Sequence, residues 1–267
     1  MMGRACIVHP CAPGLVSPFA RDTLPCSSSL NPDLDARCVA GYTIRMLNLK
    51  SLLTRDELAT INSKLDAAEW VDGRETASGP TRSIKNNLQL GAADPLSREL
   101  GATIEAALLR NEHFRAAVFP DRIAPIRFAA YRPGMTYGWH ADLAHMRFDD
   151  LVVRADVACT VFLAQPETYQ GGELAIRLPV GELRVKFQAG DAVVYPATTM
   201  HRVEPVASGM RRVALTWIQS LIPVAEHREL LFDMRQAVGR LRERDPGNED
   251  LTRLNVIYQN FARLLAT

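Results

Sequence analysis

Apolar residues recur at helical spacing in two early stretches, at every second position through a long middle region, and at helical spacing again near the end. Thr54-Arg55-Asp56-Glu57 has the form of a capping box, with Thr54 as N-cap and Glu57 reaching back. Leu58, Ile61, Leu65 and Ala68 follow on one helical face, and Trp70 closes the segment. Asp94-Pro95 reads as N-cap and first helical residue, and Leu96, Leu100, Ile104 and Leu108 continue as a stripe. From about residue 125 the period changes. Residues 126–132, 157–164, 173–178, 183–187, 191–195, 201–206 and 211–220 are short β-rich runs, separated by turn signals such as Arg132-Pro133-Gly134, Gln170-Gly171-Gly172 and Ser208-Gly209. After Pro223, Leu230, Leu231, Met234, Val238 and Leu241 mark a helix. Asp245-Pro246-Gly247-Asn248 breaks it, and Leu251, Leu254, Ile257, Tyr258 and Phe261 mark a last one.

This order predicts an α+β protein with a β-dominated core: a double-stranded β-helix (jelly roll) braced by N-terminal helices and followed by a C-terminal helical segment. Three stretches are expected: an extension over residues 1–45, a domain over 46–222 and helices over 223–267. The extension holds five of the 16 prolines, the run Ser27-Ser28-Ser29 and no sustained periodicity, so it is expected to pack loosely. Regular pattern begins only at Met46, which is therefore a candidate natural start.

Composition narrows the function classes. The chain has 267 residues, 47% hydrophobic and 23% charged, with a formal net charge of +1 and no basic block, so neither nucleic acid nor an anionic membrane surface is an expected partner. No apolar run approaches the ~18 residues of a membrane span. The five cysteines (Cys6, Cys11, Cys26, Cys38, Cys159) form no C-x2-C pair, and with no signal-peptide pattern they suggest a reducing cytoplasm. A homo-oligomer is compatible with all of this.

The candidate chemistry lies in His140-x-Asp142, followed 59 residues later by His201 and ten residues after that by Arg211. On an extended segment residues two apart leave the same face, so His140 and Asp142 can reach one ion. Two imidazoles and a carboxylate form the facial triad of non-haem Fe(II) sites, which leaves coordination positions open. Arg211 sits in a mostly apolar run, where an inward-facing Arg needs an anionic partner such as a cosubstrate carboxylate. Arg212 points the other way. The same ligands also suit a zinc hydrolase, or an iron-binding sensor without turnover, and a surface His–Asp pair is the bland alternative. Phe162, Leu174 and Trp217 are candidates for an apolar wall, and Lys85 and Asn87 for the substrate mouth. His145, His113 and His227 read as surface histidines, Asp149, Asp150 and Asp156 as solvated carboxylates, and Trp139 as packing.

The stretch Tyr131–Asp142 (YRPGMTYGWHAD) resembles the prolyl-hydroxylase-like 2-oxoglutarate/Fe(II) dioxygenases, and within them the PKHD-type hydroxylases. Further matches are Lys85–Leu90, Tyr169–Leu174, Tyr195-Pro196, His201–Val206 and Trp217–Ser220, from about Met46 onward. The resemblance implies His140, Asp142 and His201 as catalytic iron ligands, Arg211 on the distal carboxylate of 2-oxoglutarate and Tyr131 as a hydrogen-bonding partner of that cosubstrate. It also implies hydroxylation of a small-molecule or peptidyl substrate by O2, coupled to conversion of 2-oxoglutarate to succinate and CO2, with L-ascorbate as a further candidate cofactor. Leu143 departs from the polar residue expected after the H-x-D, which bears on the substrate pocket.

Overall fold

The Thr54 capping box closes: the Thr54 hydroxyl accepts from the Glu57 N–H at 3.2 Å, and the Glu57 carboxylate accepts from the Thr54 N–H at 2.8 Å. Helix α1, Arg55–Asp66, starts there. Asp94 caps helix α2, Pro95–Arg110, by accepting from Leu96 N–H at 2.9 Å. Glu57 also pairs with Arg110 at 2.5 Å. That guanidinium, tying the start of α1 to the end of α2, holds the Glu57 carboxyl down at about 2. A short helix that sequence periodicity did not reveal, α3 (Glu112–Val118), follows under an Asn111 cap. Seven residues are too few to establish a helical period.

The structure, a computed structural model, describes residues 46–76, 79, 81–91, 94–179 and 181–267. The expected extension, with its four cysteines, lies outside the described residues. The principal strands are β1 Arg127–Tyr131, β2 Thr136–His140, β3 Val157–Phe162, β4 Leu174–Leu178, β5 Ala192–Pro196, β6 His201–Val203 and β7 Arg211–Ser220, followed by helices α4 Ala225–Arg244 and α5 Asp250–Leu265. The larger sheet runs Leu47–Leu49, β5, β3, β7, β1, Leu88–Gln89, Val71–Asp72, with Pro120–Ile123 also on β7. The smaller runs Gly181–Val185, β4, β6, β2, Lys85–Asn86. Their pairings are antiparallel, and strands adjacent in space, such as β1 with β7 and β2 with β6, are distant in sequence. Two sheets linked by such crossovers make the expected jelly roll.

The larger sheet is covered on both faces, which explains why all six residues of β3 are buried. Val157, Cys159 and Val161 face the bracing helices, meeting Ile61, Leu65, Ile104, Leu108 and Phe114. Ala158 and Phe162 face inward with Ala129, Tyr131, Leu174 and Ile176 between the sheets. Each large apolar side chain so buried contributes about 1.5–3 kcal/mol, so the larger sheet is a rigid wall for what the cavity holds.

The C-terminal helices differ from expectation in which positions they cover. Leu231 and Val238 are buried, but Leu230 is 68% exposed, because one helical step of about 100° turns it away from the face that Leu231 buries. On α5, Leu251 and Tyr258 point inward while Ile257 and Phe261 stay exposed. Among the described residues no helix is long and apolar enough to cross a membrane.

Candidate active site

His140 ends β2 and His201 begins β6, and the two are direct cross-strand partners. Their rings lie 4.3 Å apart between the sheets. Asp142 is not on the same strand: β2 ends at His140, and the carboxylate reaches back from the loop beyond it. Its Oδ1 is 4.0 Å from His201 Nε2. One ligand atom from each of the three lies within 4.8 Å of the others, and all are shielded from solvent.

The backbone orients both imidazoles. His140 Nδ1 lies 2.8 Å from the Gly138 carbonyl and His201 Nδ1 lies 2.9 Å from the Thr199 carbonyl. With each Nδ1–H donating to its carbonyl, both Nε2 lone pairs are free to face a metal ion. A β-bulge supports the arrangement. His201 pairs with His140 and Val203 with Tyr137, so three steps on β2 oppose two on β6. The extra residue brings Tyr137 to the same face, where its ring stacks on His140 at 3.8 Å. Trp139 is turned outward between Arg177 and Arg202, at 4.6 and 4.7 Å.

Burial, reinforced by the neighbouring His201, pushes His140 down to about 4. Burial pushes the Asp142 carboxyl up, opposed by His201 and by a hydrogen bond from the Trp217 side chain. A bound divalent cation would favour the ionised carboxylate and the neutral imidazole together. In the metal-free protein the sign is definite. His140 titrates lower folded than its usual 6.5, so its contribution is intact above 6.5 and is lost as pH falls toward 4. Metal-free protein is expected to lose about 2 kcal/mol from this group between about pH 7.5 and pH 5, measured by urea unfolding. An equally steep loss in His140→Gln would contradict this origin.

Arg211 begins β7 and is the cross-strand partner of Tyr131, the last residue of β1. It is 1% exposed, its guanidinium lies 5.0 Å from the Tyr131 ring centre, and its Nε and Nη1 have no hydrogen-bond partner. Gly172 makes room for it: at φ +67° a Cβ there would come within 3.1 Å of Arg211 Cδ and 2.9 Å of Val206 Cγ2. Two requirements, left-handed backbone and close approach, therefore fall on that glycine. Burial pushes the Tyr131 phenol up, against the Arg211 charge and a hydrogen bond with Asn87, and so keeps it a neutral donor.

A cavity of about 380 Å³ joins the His140–Asp142–His201 cluster to Arg211 and Tyr131. Leu174 and Trp217 line it as expected, whereas Phe162 packs beside the Arg211 guanidinium at 5.9 Å. Lys85 and Asn87 are buried in its wall, and His145 stands exposed at its rim. Arg212 does point away, pairing with Asp66 at 2.6 Å. Asp149 and Asp150 are exposed, but Asp156 is not a solvated carboxylate. It is nearly buried, accepting from Arg154 Nε and the Ser220 N–H, each at 2.8 Å. His113 is exposed and His227 half-buried, both outside the cavity.

Sequence reasoning missed Arg127, which lines the cavity. Counting back by twos from Tyr131 through Ala129 would have found it. The Trp217–Asp142 contact had a similar signal, since Trp217 shares the parity of Arg211 along β7. The Tyr137 stack had none, because the bulge breaks the alternation.

Residues 126–219 match the 2OG-Fe(II) oxygenase superfamily. Among curated relatives, a PKHD-type hydroxylase of Stenotrophomonas maltophilia (strain R551-3) is 40% identical over 219 residues, covering 82% of this chain and 97% of the relative. One from Beijerinckia indica is 41% identical over 220 residues, with the same coverages. Among solved structures, a prolyl-4-hydroxylase of Pseudomonas putida aligns with a TM-score of 0.48 at 23% identity, covering 67% of this chain and 94% of that one.

Proposed function

Because this chain belongs to the PKHD-type hydroxylases of the 2OG-Fe(II) oxygenase superfamily, and is thus a 2-oxoglutarate-dependent non-haem iron dioxygenase, we propose that His140, Asp142 and His201 hold its iron and that Arg211 and Tyr131 hold its cosubstrate. The observation that carries this reading is the pairing of a buried two-His, one-carboxylate cluster with a buried guanidinium, two of whose nitrogens have no hydrogen-bond partner, in one cavity. Iron with 2-oxoglutarate supplies an O2-dependent oxidation that converts the cosubstrate to succinate and CO2 and hydroxylates a C–H bond of the substrate. The protein's residues supply position and environment. The Gly138 and Thr199 carbonyls fix both imidazole tautomers, Trp217 orients the Asp142 carboxylate, and burial keeps His140 deprotonated at neutral pH. The Arg211 fork offers two donors to the far carboxylate of 2-oxoglutarate, and the Tyr131 hydroxyl stands beside it as a neutral donor. Leu174, Leu215 and Trp217 make the wall apolar, which limits water at the reacting centre.

A zinc hydrolase on the same ligands would have no use for Arg211, so the incompletely bonded guanidinium favours the oxygenase reading. Residues 46–222 would then be the catalytic domain, with residues 223–267 as its helical appendage. Anaerobic addition of Fe(II) and 2-oxoglutarate is expected to give the visible charge-transfer absorbance of the chelate. Admission of O2 should then release succinate and CO2 in an iron-dependent manner. No absorbance change and no iron-dependent succinate would sink the assignment.

A further inference from the structure

We propose that the substrate carries an acidic group on a largely apolar body, and that Lys85 and Arg127 bind that group in the cavity in front of the iron site. This rests on the reading just given, since assigning His140, Asp142, His201 and Arg211 to iron and cosubstrate is what leaves these two cations without a task. The cavity wall carries Lys85, Arg127, Arg147 and Arg211, but among its lining residues Asp142 is the only carboxylate. Iron(II), Asp142, the 2-oxoglutarate dianion and Arg211 together are neutral. The remaining cations therefore have no counterion in the cavity wall once the cofactors are in place.

Lys85 is built into the site. It is 7% exposed and is the cross-strand partner of Tyr137, with its Nζ 5.5 Å from that ring. Its Nζ donates to Thr76 Oγ1 at 2.9 Å, and Thr76 in turn donates to Gln89 Oε1 at 2.6 Å. Among the described residues this is the hydrogen bond its ammonium makes, and a bond to a hydroxyl does not by itself call for a charge. Arg127 projects from β1 on the same face as Tyr131, its guanidinium 5.2 Å from the Phe148 ring centre. Asp149, the acidic group nearest in effect, is exposed at a turn, and among the described residues Arg127 forms no ion pair. Burial and the charge of Arg127 push Lys85 down to about 8 against the weaker pull of Asp72, which is not in the cavity wall, so the two cations act on one another. Like charges held in a low-dielectric wall are costly without an anion between them. The apolar part of the lining, Met146, Phe148, Leu174, Leu215 and Trp217, suits an apolar body.

The test compares hexanoate with hexanamide as probes of the full chain loaded anaerobically with Fe(II) and saturating 2-oxoglutarate, binding being read by saturation-transfer NMR. Hexanoate is expected to bind about tenfold more tightly, the scale of one charge-assisted pair. The charge-transfer absorbance should persist. In Lys85→Met/Arg127→Met the preference should fall to near parity with the absorbance retained at the same 2-oxoglutarate concentration. Should that variant not fold, the single Arg127→Gln is expected to lower the preference partway, and the wild-type comparison decides by itself. Equal binding of the two probes to wild type overturns the proposal. So does a preference unchanged in the variant, an absorbance lost with the preference, or hexanoate displacing 2-oxoglutarate. Absence of the absorbance in wild type would instead count against the iron and cosubstrate assignment, and is read separately.

Discussion

Arg211→Met is expected to raise the 2-oxoglutarate concentration for half-maximal decarboxylation about a hundredfold or more, because truncating one partner of a buried, hydrogen-bonded charge pair costs about 2–5 kcal/mol. Fe(II) affinity should stay within about twofold, since the guanidinium is not a ligand. A stability measurement separates this role from a structural one. In the protein without cosubstrate, two of the guanidinium nitrogens have no hydrogen-bond partner, so the buried charge is incompletely compensated in the native state. Replacing it with an apolar side chain of similar length should leave the melting temperature unchanged or raise it. A large drop in melting temperature with little change in 2-oxoglutarate dependence would contradict the assignment. Arg211→Lys should fall between, because a point charge keeps the attraction and loses the planar fork.

Asp142→Ala is expected to abolish turnover, to below about a thousandth of wild type, by removing the only carboxylate of the cluster. Its effect on the metal-free protein should be small or favourable, because burial already pushes that carboxyl up. The discriminating measurement is the melting temperature with and without Fe(II) under anaerobic conditions. Wild type should gain about 5 °C or more at iron concentrations near a hundred times the dissociation constant, and the variant should gain almost nothing. An iron-dependent gain that survives in Asp142→Ala would mean that the ion is held elsewhere.

The site's depth of legibility varies residue by residue. His140, His201 and Arg211 stand out because their chemistry is rare in β-rich runs, and Thr54 and Asp94 because a cap is a local device that three or four residues settle. Leu230, Asp156 and Arg127 were misjudged or passed over for the opposite reason. Whether a side chain at a given position meets solvent or wall depends on which segment arrives against it, and that segment is distant in sequence.

What the sequence by itself determined is therefore the set of donors, the caps, and the alternation that makes sheets from residues 126–220. Only the tertiary structure decided that His140 stands opposite His201 and Tyr131 opposite Arg211, that a bulge turns Tyr137 onto the face of the two imidazoles, and that Lys85 and Arg127 share a wall whose one carboxylate is Asp142. The physical reason is that register follows from burying one face of each strand against partners far along the chain, and a shift of one residue exchanges every inward side chain for its neighbour. Charge carries the same dependence: a lysine is ordinary until its surroundings, assembled from several strands, remove its water and set a second cation near it.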